Sequence, residues 1–194
     1  MAFPEFITII RPNEELIRRL VQDANTRQSI RASAVKVLSN HWHNDRTRET
    51  FRSITVTNDD RFCRWRALQA LAEKWPDETT RKLIAERAVT DEDNDIRRLA
   101  LQALAEKWPD EATRKLLEER AVQDESEYPR RAALQALAEK WPDEATRKLL
   151  TERAAGDETD WVKDEAKRLE KSLHDRSCRC FDGFVNSTTN ETAN

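Results

Sequence analysis

Glycine is almost missing from this chain, because only Gly156 and Gly183 occur among 194 residues. Sheet proteins with tight hairpin turns need several glycines, and so do phosphate-binding loops of the G-x-x-x-x-G-K-[ST] type. We therefore expect neither a β-rich fold nor an NTPase site in this polypeptide. No apolar run approaches the roughly 20 residues that cross a bilayer, so we also expect no association with a membrane.

Cysteine is scarce as well, and the three cysteines follow no framework. Cys63, Cys178 and Cys180 are an odd number without regular spacing, which is typical of proteins in a reducing compartment. The first residues have no basic region ahead of their short apolar patch and no small-residue cleavage site, so we predict no signal peptide. These features together predict a cytoplasmic protein.

What the chain does contain is helix-forming and repetitive. Charged residues make up 37% and hydrophobic residues 38% of the sequence, and alanine, leucine, glutamate, lysine and arginine favour helix. The segment ALQALAEKWPDEATRKLL occurs at Ala100–Leu117 and again at Ala133–Leu150, with a close variant at Ala67–Ile84. A spacing of 33 residues separates the tryptophans Trp42, Trp75, Trp108 and Trp141. A fixed period of this length indicates a stacked repeat array, because one unit cannot bury its apolar face alone.

Each repeat has the pattern of two helices. The first helix carries an apolar stripe that includes Leu134, Leu137 and Trp141, and we expect the tryptophans to plug the space between helices. Pro142 disfavours helical geometry at the preceding residue, and Asp143 is a good N-cap for the second helix. The sequence therefore predicts an all-α fold, an α-solenoid of stacked antiparallel helix pairs.

The two ends of the array depart from the repeat. At the C-terminal end Lys167, Glu170 and His174 replace apolar residues of the repeat, as expected of a terminal cap whose outer face meets water. We predict four segments. They are a truncated N-terminal repeat at 1–30, an array of about four helix pairs at 31–157, a cap helix at 158–176 and a disordered tail at 177–194.

An acidic residue in the loop between repeats is followed six residues later by a basic one. The pairs are Asp91–Arg97, Asp124–Arg130 and, in a weakened form, Asp157–Lys163. This pattern resembles HEAT repeats of the PBS-lyase-like (armadillo-like) type. The stretch RRAALQALAEKWPDEATRKLLTERA is similar to HEAT arrays of cyanobacterial proteins with NACHT-type NTPase modules. Because the pair recurs, we interpret it as a structural ladder in which the carboxylate caps loop amides and binds the guanidinium.

The resemblance implies a sensing or binding module, and two other functions come with it. Some PBS-lyase-type HEAT proteins attach or detach bilins on phycobiliproteins, but the sequence offers no residue set for that chemistry. Some HEAT-like proteins bind nucleic acid, and Arg61, Arg64 and Arg66 surround Trp65 in RFCRWR. Phosphate binding usually needs a net basic stripe, whereas this chain has a formal net charge of −3.

Metal binding and catalysis have no complete residue set. His174, Cys178 and Cys180 form one candidate group, but a structural zinc site needs four ligands. His41 and His43, which flank Trp42, lack further ligands in the same way. We therefore expect no metal, no cofactor and no enzymatic activity.

The main prediction is a non-enzymatic, monomeric scaffold that binds a protein partner on its concave face, formed by the second helices. Contact residues are expected where otherwise matching copies differ. Such positions are Trp65, Arg98 and Arg131, then Arg66, Leu99 and Ala132, and on the second helix Arg52, Ala85, Glu118 and Thr151. The alternative is that these positions vary because nothing constrains them.

Overall fold

The computed structural model describes residues 13–23, 25–58 and 60–188, with side chains as far as residue 175. Within these ranges the chain forms ten α-helices and no β-strand. The helices are α1 (Glu14–Gln22), α2 (Gln28–His41), α3 (Asp45–Thr57), α4 (Arg61–Lys74), α5 (Glu78–Thr90), α6 (Asn94–Lys107), α7 (Glu111–Gln123), α8 (Glu127–Lys140), α9 (Glu144–Gly156) and α10 (Asp160–Thr188). The predicted all-α fold is confirmed.

The chain divides into two compact units, unit 1 (Met1–Pro76) and unit 2 (Asp77–Asn194). The division falls at none of the boundaries predicted at 30, 157 and 176. The boundary at 30 lies inside α2, and α10 continues past 176 to Thr188, into the segment predicted as a disordered tail. Adding residues to an existing helix is much easier than nucleating a new one. Residues 189–194 of that predicted tail lie outside the described ranges.

The helices on either side of the Trp-Pro turns begin and end at capping residues. The carboxylate of Asp143 accepts a hydrogen bond from the Thr146 amide at 3.0 Å, and Asp110 accepts one from Thr113 at 2.9 Å. The predicted N-cap role of Asp143 is thus confirmed. At the other side of this turn Trp141 is the C-cap of α8. The repeated tryptophans are half-buried rather than enclosed in a core.

Two kinds of short connection alternate along the chain: the acidic loop, such as residues 124–126, and the Trp-Pro turn, such as residues 141–143. The helices of a closely packed pair are joined by the acidic loop and not by the Trp-Pro turn. The pairs are α1–α2 and α3–α4 in unit 1, and α5–α6, α7–α8 and α9–α10 in unit 2. Helices joined by the Trp-Pro turn, such as α8 and α9, make few contacts. The acidic loop therefore lies inside the closely packed pairs, whereas the sequence pattern placed it between repeats. The two kinds of turn are equally short, so sequence spacing does not distinguish them.

Unit 2 has two layers of helices. The helices α6, α8 and α10 pack side by side and are called here the even layer of unit 2, whereas α5, α7 and α9 pack mainly against the even layer. Buried alanines such as Ala105, Ala132 and Ala136 allow the close approach in the even layer. Neighbouring repeats of unit 2 therefore pack most closely in the even layer. The concave face on the second helices, which are the odd-numbered ones, stays a prediction.

The core consists of leucines and alanines from both layers. Leu101, Leu134 and Leu137 are fully buried. On α10, Val162 and Leu173 are at most 2% exposed. In unit 1, Phe51 is fully buried and meets Trp75 edge to face, with ring centroids 6.0 Å apart. No helix of the described ranges is long and apolar enough to cross a membrane.

Candidate binding surface

A buried ladder of arginines and aspartates crosses the repeats of unit 2. Arg130 donates from Nε and Nη2 to the two carboxylate oxygens of Asp157, at 3.2 and 2.9 Å. Its Nη1 donates to the backbone carbonyl of Asp124 at 2.8 Å. Arg97 makes the same forked contact with the Asp124 carboxylate, at 3.0 and 2.9 Å. Each guanidinium thus binds its own loop through a carbonyl and the following loop through a carboxylate.

The predicted ladder exists, but its partners are shifted by one repeat. The side-chain pairs are Arg97–Asp124 and Arg130–Asp157, not Asp91–Arg97 and Asp124–Arg130. The Nη1 of Arg97 donates to the backbone carbonyls of Asp91 and Glu92, at 2.8 and 3.4 Å. The guanidinium of an arginine six residues after the loop aspartate therefore extends past its own loop to the next carboxylate. Lys163 pairs with Asp160 at 3.0 Å rather than with Asp157.

The ladder carboxylates are occupied on all sides. Asp157 also accepts the Thr159 amide at 3.1 Å, which confirms the predicted capping of loop amides. Burial acts to raise the pKa of Asp157, but the Thr159 amide and the Arg130 guanidinium outweigh it, and the pKa lies below its usual value. The hydrogen bond with Asp124 in turn raises the pKa of Arg97. Charges compensated in this way hold repeats together and leave no carboxylate for acid–base chemistry.

A second, more exposed ladder lies on the odd helices and was missed in the sequence. Arg81 pairs with Asp110 at 2.7 Å, and Arg114 pairs with Asp143 at 2.8 Å. Each aspartate is also the N-cap of its helix. The recurrence of an arginine four residues after each such aspartate could have revealed it. Unit 1 follows a different pattern, since Asp60, the N-cap of α4, contributes the carboxylate near Arg31, at 3.9 Å.

The outward surface of the even layer of unit 2, called here the even face, differs from repeat to repeat. Its exposed or half-buried residues are Asp95, Arg98, Gln102 and Glu106 on α6, Tyr128, Arg131, Gln135 and Glu139 on α8, and Trp161, Asp164 and Arg168 on α10. Aromatic and arginine side chains concentrate toward α8 and α10. Glu106 and Glu139 lie at the C-terminal ends of α6 and α8.

Tyr128, Arg131, Trp161 and Arg168 form what we call the aromatic–arginine patch. The rings of Tyr128 and Trp161 meet edge to face, with centroids 5.2 Å apart and planes at 79°. The Arg131 guanidinium lies 3.5 Å from the Trp161 ring centroid, a cation–π contact. Tyr128 remains 43% and Trp161 42% exposed. Two large aromatic side chains therefore face solvent in a fixed arrangement.

A buried carboxylate supports the patch from below. Glu165, only 6% exposed, accepts hydrogen bonds from Gln135 at 2.7 Å and from Arg168 Nε at 3.0 Å. It also accepts one from Arg131 at 3.4 Å. The Arg168 hydrogen bond is the main cause that lowers the pKa of Glu165 to about 2, and burial opposes it. The glutamate is therefore ionised at neutral pH and positions both guanidinium groups.

A groove of about 350 Å³ between α6 and α8 adjoins the patch. The buried alanines Ala132 and Ala136 line it, together with the polar side chains of Gln102, Gln135 and Glu139. Gln135 belongs to both features, since it lines the groove and donates to Glu165. Groove and patch thus form one continuous surface.

The other predicted contact residues are dispersed. Arg98 lies on the even face and is held by Asp95 at 3.1 Å, and Leu99 is half-buried beside it. Arg52 and Glu118 lie on odd helices, in ion pairs with Glu49 and Arg114 respectively. The structure therefore groups only Arg131 with the patch.

In unit 1, Trp65 and Arg66 are half-buried, with the guanidinium 5.3 Å from the ring centroid. Tyr128 and Trp161 were missed, as was the exposed Phe62. Phe62, Tyr128 and Trp161 occupy equivalent positions in their repeats, and the equivalent residue of α6 is Asp95. Variation between copies at that position was the available signal.

The metal candidates gain no further ligand in the part of the chain with described side chains. There, no group of three or more histidine, cysteine, aspartate or glutamate side chains could hold a metal ion. His43 instead contacts the Ser39 carbonyl at 2.8 Å. Cys178 and Cys180 lie outside the described side chains.

Comparison with known proteins gives one family. A family model for HEAT repeats matches residues 13–105 and, in an overlapping window, residues 81–169. No curated protein matches the chain. The family match extends over more than half of the sequence, so the chain belongs to the HEAT-repeat family. It is accordingly a helical repeat scaffold of a kind suited to protein interaction, whereas the PBS-lyase-like and NACHT-associated subtypes stay predictions.

Proposed function

We propose that this HEAT-repeat protein is a non-enzymatic scaffold whose even face binds a protein partner, with the aromatic–arginine patch at the centre of the contact. The observation that carries the proposal is the exposure of Trp161 and Tyr128, at 42% and 43%, beside Arg131. Tryptophan, tyrosine and arginine are the residue types that most often dominate the binding energy of protein interfaces.

The fixed geometry of the patch favours tight binding. Binding normally costs about 0.5–1.5 kcal/mol for each flexible side chain that becomes immobilised. Here Glu165 and the Trp161 ring already hold Arg131 in place. A partner that contacts this guanidinium therefore meets a side chain that has lost most of its freedom during folding.

The groove beside the patch extends the surface that a partner can cover. Alanines at Ala132 and Ala136 leave room for a partner's side chains, while Gln102 and Glu139 offer hydrogen-bonding groups. An apolar centre with a polar rim is the usual arrangement of a protein interface. We expect the scaffold to act as a cytoplasmic monomer.

Two alternative functions have less support. For nucleic acid, Arg98, Arg131 and Arg168 each pair with a carboxylate of this chain, which weakens any phosphate-binding stripe. For a bilin lyase, no catalytic residue set is present among the described side chains. Both alternatives are outcomes of the experiment below.

The test compares the unmodified protein with two variants in capture experiments from a lysate of the source organism. The variant Trp161→Ala with Arg131→Ala should reduce capture of the partner about tenfold or more. The control, Glu118→Ala with Val122→Ala on the odd helix α7, should retain it, and circular dichroism should show equal helicity.

Three results would contradict the proposal. One is full retention of the partner by the patch variant. Another is loss of capture in the α7 control. The last is a captured species that nuclease treatment removes, or that consists of bilin-carrying proteins released with altered absorbance.

A further inference from the structure

The two arginines of the aromatic–arginine patch share a single carboxylate. Glu165 accepts hydrogen bonds from Nε of Arg168 at 3.0 Å and from Nη2 of Arg131 at 3.4 Å. The exposed carboxylate of Asp164, also on α10, pairs with Lys167 at 3.6 Å instead. Together with Glu165, the patch therefore carries one excess positive charge at the surface.

Both guanidinium groups keep hydrogen-bond donors for a ligand. An arginine has five N–H groups. Arg168 donates to Glu165 from Nε and Nη2, and Arg131 donates to it from Nη2. Within the described side chains, Nη1 of neither arginine donates to another group. The Arg168 side chain is 66% exposed. An incoming carboxylate therefore meets unused donors at the surface.

The aromatic rings of the patch favour an anion over a cation. The Arg131 guanidinium already lies 3.5 Å from the Trp161 ring centroid, so a second cation at this ring would be repelled at close range. Tyr128 and Trp161 leave apolar area exposed beside the arginines. The ligand that fits this surface is an acidic residue with an apolar neighbour.

Two glutamines in the adjoining groove are complementary to a peptide group. Nε2 of Gln135 donates to Glu165 at 2.7 Å, which leaves its carbonyl oxygen as an acceptor. Oε1 of Gln102 accepts from Arg98 at 3.3 Å, which leaves its amide nitrogen as a donor. Both side chains line the groove. A backbone N–H of a bound segment can therefore pair with one glutamine and a backbone carbonyl with the other.

This arrangement favours an extended segment over a helix. In a helix the backbone N–H and carbonyl groups already pair within the segment, so the glutamines would have no backbone partner. Arg131 and Gln135 are four residues apart on α8, which is about 6 Å along its axis. An extended segment covers that distance in about two residues. The acidic residue should therefore lie two positions from the peptide group that the glutamines bind.

We propose that the partner binds the even face through an extended acidic segment, whose Asp or Glu side chain contacts the two arginines of the patch while its backbone pairs with Gln102 and Gln135. This inference rests on the proposed function, since it names the chemistry that the same surface recognises. The excess charge of the patch determines which side chain is selected, and the glutamines determine the conformation of the segment.

A phage-displayed library of short random peptides is the probe. It is selected on the unmodified protein and on the variant Arg131→Gln with Arg168→Gln. Peptides from the unmodified protein should share an Asp or Glu at a fixed position, and the variant should not select for it. The matched control is Arg147→Gln, which removes a partly exposed arginine of the odd helix α9 and should select the same acidic motif.

Binding of one selected peptide, followed by fluorescence anisotropy, then tests each contact. Replacing its acidic residue by the amide should weaken binding about tenfold. The arginine variant should bind the acidic and the amide peptide alike, because it lacks the groups that distinguish them. N-methylation of a backbone amide two positions from the acidic residue should weaken binding to the unmodified protein, and Gln135→Ala should remove that effect. Circular dichroism checks that each variant folds.

The possible failures separate this inference from the proposed function. Selected peptides that need Trp161 but no acidic residue would overturn the acidic segment and leave the proposed function standing. Peptides that bind Trp161→Ala with Arg131→Ala as well as the unmodified protein would contradict both. A selected motif with apolar residues three and four positions apart would indicate a helix and overturn the extended conformation. A library without binders would also overturn the inference, whereas capture from a lysate tests the proposed function independently.

Discussion

The buried ladder makes Arg130→Ala the most informative stability variant. The substitution removes the fork to Asp157, at 3.2 and 2.9 Å, and the donor to the Asp124 carbonyl at 2.8 Å. Both side chains of the pair are nearly inaccessible, at 5% and 2% exposure. The Asp157 carboxylate is then left buried with Thr159 as its remaining partner.

The expected loss in the free energy of unfolding is about 3 kcal/mol. Breaking a buried ion pair by removing one partner costs about 3–5 kcal/mol. The lower end applies because Asp157 keeps the Thr159 amide and hydroxyl, at 3.1 and 3.2 Å. Arg130→Lys should fall between the two proteins, since an ammonium group keeps the charge but cannot form the fork.

The effect should depend on pH in one direction. The pKa of Asp157 in the folded protein lies below its ordinary value of 3.8. Its stabilising contribution is therefore complete above that value and is lost as the pH falls through the folded-state pKa. The difference between the unmodified protein and Arg130→Ala should accordingly be largest near neutral pH and shrink in strong acid.

Urea unfolding followed by circular dichroism measures both quantities. Arg147→Ala is the control, because Arg147 is 37% exposed and pairs with Glu144 only at 3.6 Å, so its loss should cost less than about 0.5 kcal/mol. If Arg130→Ala is no less stable than this control, the arginine–aspartate ladder does not hold the repeats together.

Three further predictions concern the helix caps, the stability of the N-terminal helices and the metal content. Asp143→Ala should cost about 1 kcal/mol in urea unfolding because it removes an N-cap, and Arg114→Ala less, since its pair with Asp143 is partly exposed; the reverse order would contradict the cap assignment. Among the described helices, those before Phe62 should exchange amide hydrogens fastest, with proteolysis at 55–61, because threonines replace better helix formers there; uniform protection would refute this. Purified protein should contain less than stoichiometric metal and keep its helical dichroism in a chelator, and stoichiometric zinc lost together with helicity would show a metal site.

Repeat period and cap residues predicted the local structure because their chemistry acts within a few residues. Asp143 is an N-cap through a hydrogen bond to a residue three positions later, so its role can be inferred from the sequence alone. The contact between Arg130 and Asp157 joins residues 27 positions apart. Which loop the arginine reaches depends on how far its side chain extends beyond its own loop. The spacing of residues in the sequence gives no information about that distance.

The candidate surface was only partly predictable for a related reason. Arg131 was identified from variation between copies, and the same criterion applied to Tyr128 and Trp161 would have found the patch. Which helices of unit 2 pack side by side across neighbouring repeats could not be inferred, because both kinds of turn are equally short. The contribution of Glu165 was also hidden, since its repeat equivalents are Ala132, Leu99 and Arg66.

Site-specific photo-crosslinking tests the proposed binding surface most directly. A photoreactive phenylalanine analogue replaces Tyr128 on the even face, and in a second protein it replaces Val122 on α7, which is similarly exposed at 44% against 43%. Irradiation in a lysate of the source organism should give a discrete protein adduct at position 128 and none at position 122. Adducts only at position 122, or adducts with nucleic acid at position 128, would contradict a protein-binding even face.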